Sequence, residues 1–186
     1  MGVEVRERRD GDLAALVGVA ARVRAEDEYP IHLPGDDYER FLTRPASLRA
    51  WVLEQDGAVV GHVALNPATS APVMELAERH SPGRKVVFVA RLLVDPEARR
   101  RGHGARLLAH AASAARADGR VALLDVVDIP SAAPAIALYR HLGWEEIGRT
   151  PFRLPGNAQL HELVFRAPRD EPSPVDRYMS TREAAT

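Results

Sequence analysis

Three consecutive arginines, Arg99, Arg100 and Arg101, run into Gly102-His103-Gly104-Ala105. Residues of these types in this order suit an anion. Arginine carries a planar, permanently charged fork of donors. Two glycines one residue apart leave a backbone that a bound group can approach without meeting a Cβ. The stretch follows a dense apolar segment, Val86 to Val94, and opens a helical one. The first N–H groups of a helix lack intrahelical partners and lie at the positive end of its dipole. Loop and helix start together predict a phosphate site, best suited to a pyrophosphate. Neither familiar nucleotide loop fits. There is no GxxxxGK[ST], and Leu107 stands where a dinucleotide fingerprint needs its third glycine.

The elements that must hold this loop can be read from periodicity and turn residues. Val3 and Val5 alternate with charges in a first strand. Asp10 or Asp12 caps a helix whose apolar stripe is Leu13, Leu16, Val17, Ala20 and Val23. Pro30, Pro34 and Gly35 make a loop, and Asp36 or Asp37 caps a short helix through Phe41 and Leu42. Asp56-Gly57 supplies the positive φ angles of a tight hairpin between strands 51–55 and 58–65. The long connection 66–85, with a short helix at about 72–79 inside it, has the length of a binding loop. Val86 to Val94, broken only by Arg91, is a central strand ended by Asp95-Pro96. Gly102 to Ala117 is a helix, Val121 to Val127 a buried strand, and 134–142 a helix with Pro134 in its first turn. Trp144 to Gly148 and Gln159 to Phe165 complete the strands. The order β-α-α-β-β-β-α-β-α-β-β predicts one α/β domain with a mixed sheet over residues 1–167. Residues 168–186, rich in proline and charge, read as a flexible tail.

Composition narrows the chemistry. The 186 residues contain no cysteine, which excludes disulfides, thiolate metal sites and a cysteinyl acyl intermediate. The seven histidines show no paired ligand spacing, so no metal is expected. A net charge of −1 offers no general attraction for nucleic acid or anionic membrane. Neither is expected as a partner, and cytoplasmic location is the default reading. Of 25 basic residues only Lys85 is lysine, a bias that carries no mechanism.

The spacing Arg99-x-x-Gly102-x-Gly104, preceded by Val94-Asp95-Pro96, resembles the coenzyme-A loop of the GNAT superfamily of acyl-CoA-dependent N-acetyltransferases. A second block, Ala135-Ile136-Ala137-Leu138-Tyr139-Arg140-His141-Leu142-Gly143-Trp144, resembles that superfamily's A-x-x-L-Y-x-x-x-G-[F/W] segment. The resemblance implies a GNAT-like fold over residues 3–166. It implies that acetyl-CoA is the cosubstrate, with backbone groups of Leu92, Leu93 and Val94 holding the acetyl carbonyl and pantetheine arm. It implies that Arg100, Arg101, Gly102, His103, Gly104 and Ala105 wrap the pyrophosphate with Arg99 nearby. It implies that Tyr139 is the general acid for the leaving thiolate. The implied reaction is direct acetyl transfer to a primary amine in a ternary complex, a small-molecule acceptor being favoured. The alternatives are a protein N-terminal or lysine acetyltransferase and a non-catalytic acyl-CoA sensor. A homodimer is compatible with all three.

One departure stands out: Ala132 occupies the place where the second block often carries Asn, with Ser131 beside it as a substitute contact. No motif fixes a base. Glu28, Asp36, His62, Glu75 and Asp125 are candidates by predicted location, and water is an equal alternative. His103 is expected to lend its N–H to the loop with its ring in solvent.

Overall fold

In the computed structural model the described residues are 2–44, 47–153 and 160–168. Strand β1 (Val3–Glu7) leads to helix α1 (Leu13–Asp27), then α2 (Tyr38–Leu42), β2 (Arg49–Gln55) and β3 (Ala58–Asn66). Helix α3 (Ala71–His80) precedes β4 (Val86–Val94), α4 (His103–Ala117), β5 (Val121–Val127) and α5 (Ala133–His141). Strands β6 (Glu145–Phe152) and β7 (Leu160–Arg166) complete the order. The seven strands form one sheet in the order β1-β2-β3-β4-β5-β7-β6. Among its neighbouring pairs only β4 and β5 run parallel. A parallel pair needs a crossover, and α4 supplies it.

The local signals act as their chemistry requires. Asp12 accepts from the Arg9 amide (2.7 Å) and takes both forks of Arg6 (2.8 Å each) before α1 begins. Asp37 accepts from the Arg40 amide and starts α2. Asp56 (φ 52°) and Gly57 (φ 84°) both adopt the positive φ that a two-residue hairpin demands. The apolar stripe of α1 is Leu16, Val19, Ala20 and Val23. Val19 replaces Val17 of the sequence-based stripe as a fully buried member. Only Pro168 of the expected tail is among the described residues, and the remainder lies outside them.

Each face of the sheet buries its own core. Trp51, Leu53, Val63, Leu65, Val87, Val89, Leu124 and Phe165 pack beneath α4 and α5. Val52 and Leu93 meet α1 and α2 on the other face, where Phe88, Leu123 and Val164 meet α3. The short helix expected inside the 66–85 connection is α3. It adds a helix between β3 and β4 that the predicted element order omits, and it lies over β6.

Candidate functional site

Strands β4 and β5 pair only from Val86–Phe88 to Val121–Leu123. Beyond that point β5 continues along β7 as far as Val127. Strand β4 stays with β3 as far as Val94. The two parallel strands therefore part, and a wedge opens in the middle of the sheet. A cavity of about 850 Å³ occupies it. Its walls include Val89 to Leu92 and Val94 on one edge and Leu124 to Val127 on the other, with Tyr29, Ser131, Tyr139 and Glu162 around them.

A bulge in β4 determines what faces the wedge. His62 pairs with Leu93, but Ala64 pairs with Ala90. Val63 thus opposes both Arg91 and Leu92. Arg91 takes φ 53° to absorb the extra residue. Before the bulge Val87 and Val89 point toward α4 and α5; after it Leu92 and Val94 do. Main-chain direction also follows. The Asp95 amide donates to the Val60 carbonyl at 2.8 Å. Antiparallel alternation then turns the amide and carbonyl of Leu93 to His62, and those of Leu92 and Val94 to the wedge. Leu93 is thereby corrected as a main-chain contact for a ligand: its backbone groups belong to the ladder with β3, and its side chain lies under α1.

His62 secures the bulge. Its Nδ1–H donates to the Arg91 carbonyl at 2.9 Å, because a carbonyl can only accept. The ring is fully buried, and burial holds it down at about 4. It does not line the cavity, so its role is to prop the strand.

The loop after β4 is ordered by acidic side chains. Asp95 accepts from the Glu97 amide (3.2 Å) and from the Arg22 guanidinium. Arg99 folds back onto α1, donating to Asp27 (3.0 Å), Glu26 (3.4 Å) and the Val94 carbonyl (3.2 Å). Arg99 thus lines the cavity with its guanidinium already paired to carboxylates. Arg100 (φ 62°) and Gly102 (φ 78°) take left-handed conformations, and Arg100, Arg101 and Gly102 are exposed. Helix α4 begins at His103, and the Arg106 amide is bonded to the Gly102 carbonyl at 3.0 Å. The three preceding amides, those of His103, Gly104 and Ala105, belong to the first turn of that helix.

Two expectations about the loop change. The His103 ring is buried, not solvated, and its Nε2 contacts Gln55 Oε1 at 2.9 Å. At Gly104 an added Cβ would meet Leu138 Cδ2 at 3.1 Å. A side chain there would have to push the end of Leu138 aside, whereas at Gly102 the positive φ favours glycine.

Tyr139 projects from α5 into the cavity wall, its ring 6.5 Å from Trp144 and 5.7 Å from Phe165. Burial, with the nearby Tyr29 hydroxyl and Asp125, raises its phenol above the ordinary range, so it stays protonated at neutral pH. Across β5, Asp125 lies on the α3 face, diagonal to Glu162 in the β5–β7 ladder. Glu162 is buried and accepts from Ser70 Oγ (2.9 Å) and Thr150 Oγ1 (3.1 Å). Burial and the Glu162 charge push Asp125 up to about 6, with a Thr69 side-chain hydrogen bond opposing them. Asp125 lines the cavity, whereas Glu28, Asp36, His62 and Glu75 do not. Glu28, Asp36 and Glu75 are exposed, and Asp36 is paired with Arg24.

Ser131 and Ala132 both line the cavity, and the Ser131 Oγ is buried without a partner among the described residues. An orphaned hydroxyl in a cavity wall is suited to a polar ligand. Of the sequence-predicted residues, the structure brings Leu92, Val94, Arg99 and Tyr139 to one cavity. Arg100 to Ala105 form the adjoining helix start, outside its wall. The proline-containing loop 28–32, read from the sequence as an acceptor contact, brings Tyr29, Pro30, Ile31 and His32 to the cavity. Sequence reasoning missed Arg91 and Glu162. Arg91 had a signal, a charge inside an otherwise apolar strand, whereas Glu162 had none.

Among the described residues no group of three or more His, Asp or Glu could hold a metal ion. No helix there is long and apolar enough to cross a membrane. Comparison with known proteins agrees with the geometry. The model of the Acetyltransferase (GNAT) family matches residues 19–144. No curated protein matches the chain in sequence. Solved structures share the fold. YncA from Salmonella typhimurium, with its cofactor acetyl-CoA, superposes with TM-score 0.63 at 17% identity, over 92% of this chain and 96% of that one. Ribosomal-protein-alanine N-acetyltransferase from Brucella melitensis gives 0.63 at 22%, over 88% and 98%. Arabidopsis thaliana NAA60, in complex with a bisubstrate analogue, gives 0.65 at 18%, over 89% and 97%.

Proposed function

The chain belongs to the GNAT acetyltransferase family, and we propose that it moves an acetyl group from acetyl-CoA directly to a primary amine in a ternary complex. The observation that carries this reading is the wedge. Main-chain groups of Leu92 and Val94 face it from β4 while Tyr139 faces it from α5. The residues present fit the cosubstrate. The Leu92 amide is placed to receive the negative charge that grows on the thioester oxygen. Val94 and Ser131 offer polar groups along the pantetheine arm. The first-turn amides of α4, with Arg100 and Arg101, suit the pyrophosphate.

Acetyl-CoA supplies an activated acyl group, and this chain's residues move the protons. Asp125, directly or through water, accepts the proton that the amine must lose. As the amine nitrogen bonds to the carbonyl carbon, the carbon–sulfur bond breaks. Tyr139 then delivers a proton to the departing sulfur. The products are an N-acetyl amide and free coenzyme A. A phenol with its pKa raised by burial is a weak acid, but a thiolate of conjugate pKa about 8.5 gains from its hydrogen bond throughout cleavage. The acceptor is a small molecule on this reading, because the amine must reach the middle of the sheet through a cavity walled by the 29–44 segment.

Calorimetric titration with acetyl-CoA and a thiol-release assay on an amine panel test the proposal. Saturable binding followed by amine-dependent thiol release is expected. Binding without release on any amine would favour the acyl-CoA sensor, and absence of binding would remove both readings.

A further inference from the structure

Arg91 carries a charge that no carboxylate among the described residues neutralises. It is 5% exposed and lines the cavity. Its Nη1 donates to Ser47 Oγ (2.9 Å) and Asn66 Oδ1 (3.1 Å), both neutral, and its guanidinium carbon lies 5.6 Å from the centre of the Phe41 ring. The charged side chains nearest in effect are Arg44 and Arg8, of the same sign. Buried guanidinium groups are rarely left without a counter-ion, because the desolvation cost is then uncompensated. Arg40 and Arg44 line the same cavity. Asp125 and Glu162 line it too, on β5 and β7 rather than at the bulge. The acidic residues nearer the arginines are otherwise engaged: Asp27 binds Arg99, and Asp37 caps α2.

Resting on the acetyltransferase reading, we infer that the acceptor is a small zwitterion, an α-amino acid or close relative, whose carboxylate sits on Arg91 while its amine faces Asp125. Arg91 and Leu92 line the cavity from β4 and Asp125 lines it from β5, so one small molecule in the wedge can meet both charges beside the thioester. The same arrangement selects against polyamines, which would bring a second cation to a cluster of arginines.

The test compares free α-amino acids with their carboxamides and with the matching decarboxylated amines. Thiol release measures turnover, and calorimetry on the coenzyme-A-saturated protein measures binding. The free acid is expected to exceed its amide at least tenfold in kcat/KM. Arg91→Gln should erase most of that preference, lowering kcat/KM for the acid at least tenfold and for the amide less than threefold. Acetyl-CoA affinity should hold. A merely structural Arg91 would depress acid and amide alike, which overturns the inference. So would equal use of acid and amide by the unaltered protein, or turnover confined to peptides. If Arg91→Gln does not fold, the acid-to-amide comparison in the unaltered protein decides. If no amine is turned over, acetyl transfer fails as a reading. Calorimetry then settles the zwitterion separately, equal binding of acid and amide counting against it.

Discussion

The two faces of the sheet meet at the wedge with different equipment. On the α4–α5 side the groups in reach are largely main chain: the edge of β4 and the first turn of α4, with Tyr139 as the one titratable side chain in the cavity wall. On the α1–α3 side they are ionisable side chains of the sheet, the buried Arg91 and Glu162 and the half-buried Asp125. On the proposed reading, main-chain groups take a feature common to every turnover, the thioester and its diphosphate, and tolerate variation in side chains, while the charged groups take what is particular to one acceptor. Cosubstrate recognition would then be written in backbone geometry and acceptor recognition in electrostatics.

Substitutions can test that division from either side. The largest effect is expected at Asp125→Asn, a loss of about 100-fold in kcat/KM, the lower range for acid–base catalysis. The unaltered enzyme should gain activity with slope one as pH rises toward about 6, where Asp125 ionises. The variant should lack that limb in a pH–rate profile. Stability should move the other way. The unfolded carboxyl releases its proton near 3.8 and the folded one near 6. The native state therefore binds more protons between those values, and stability falls as pH rises through them. Asparagine should remove that penalty and raise stability at pH 7.5 by on the order of 1 kcal/mol in thermal or urea melts.

On the other face, Gly104→Val should cost about 2 kcal/mol through collision with Leu138, seen as a lowered melting temperature even without ligand. A normal melt with lost acetyl-CoA affinity would instead show that the added side chain obstructs the phosphate and not Leu138. Tyr139→Phe should lower kcat about tenfold while acetyl-CoA affinity, measured by calorimetry, stays within twofold. An unchanged rate across pH would remove the phenol from the chemistry. The smallest effect is expected at Arg99→Ala, less than threefold in acetyl-CoA affinity, because its guanidinium already serves Asp27 and Glu26. A tenfold loss there would make the Arg99 guanidinium a direct phosphate contact.

The same division separates what the sequence disclosed from what it hid. Strands, helices and the Asp56-Gly57 turn follow from local periodicity and φ preference, and they were readable within a few residues. So were the helix start at Gly102 and the placement of Tyr139, because loop and helix motifs are contiguous in sequence. The acceptor side was not. Glu162 gains its meaning from Ser70, 92 positions away, and Arg91 from Ser47 and Asn66 on two other segments. Such groups are assembled only by strand pairing. The His103 ring was misread as solvated, and the pairing of Arg99 was hidden, for a related reason: their partners, Gln55 and Asp27, come from β2 and α1, which no local pattern connects to the loop.

The surplus residue in β4 has one more consequence. The half-strand before Arg91 and the half-strand after it are out of step in numbering. Excising Arg91 would let Leu92 alone oppose Val63, restoring plain alternation with Leu92 and Val94 still in their layer and the register to His62 unchanged. The extra residue therefore shapes the strand at the wedge without deciding which layer its apolar side chains enter.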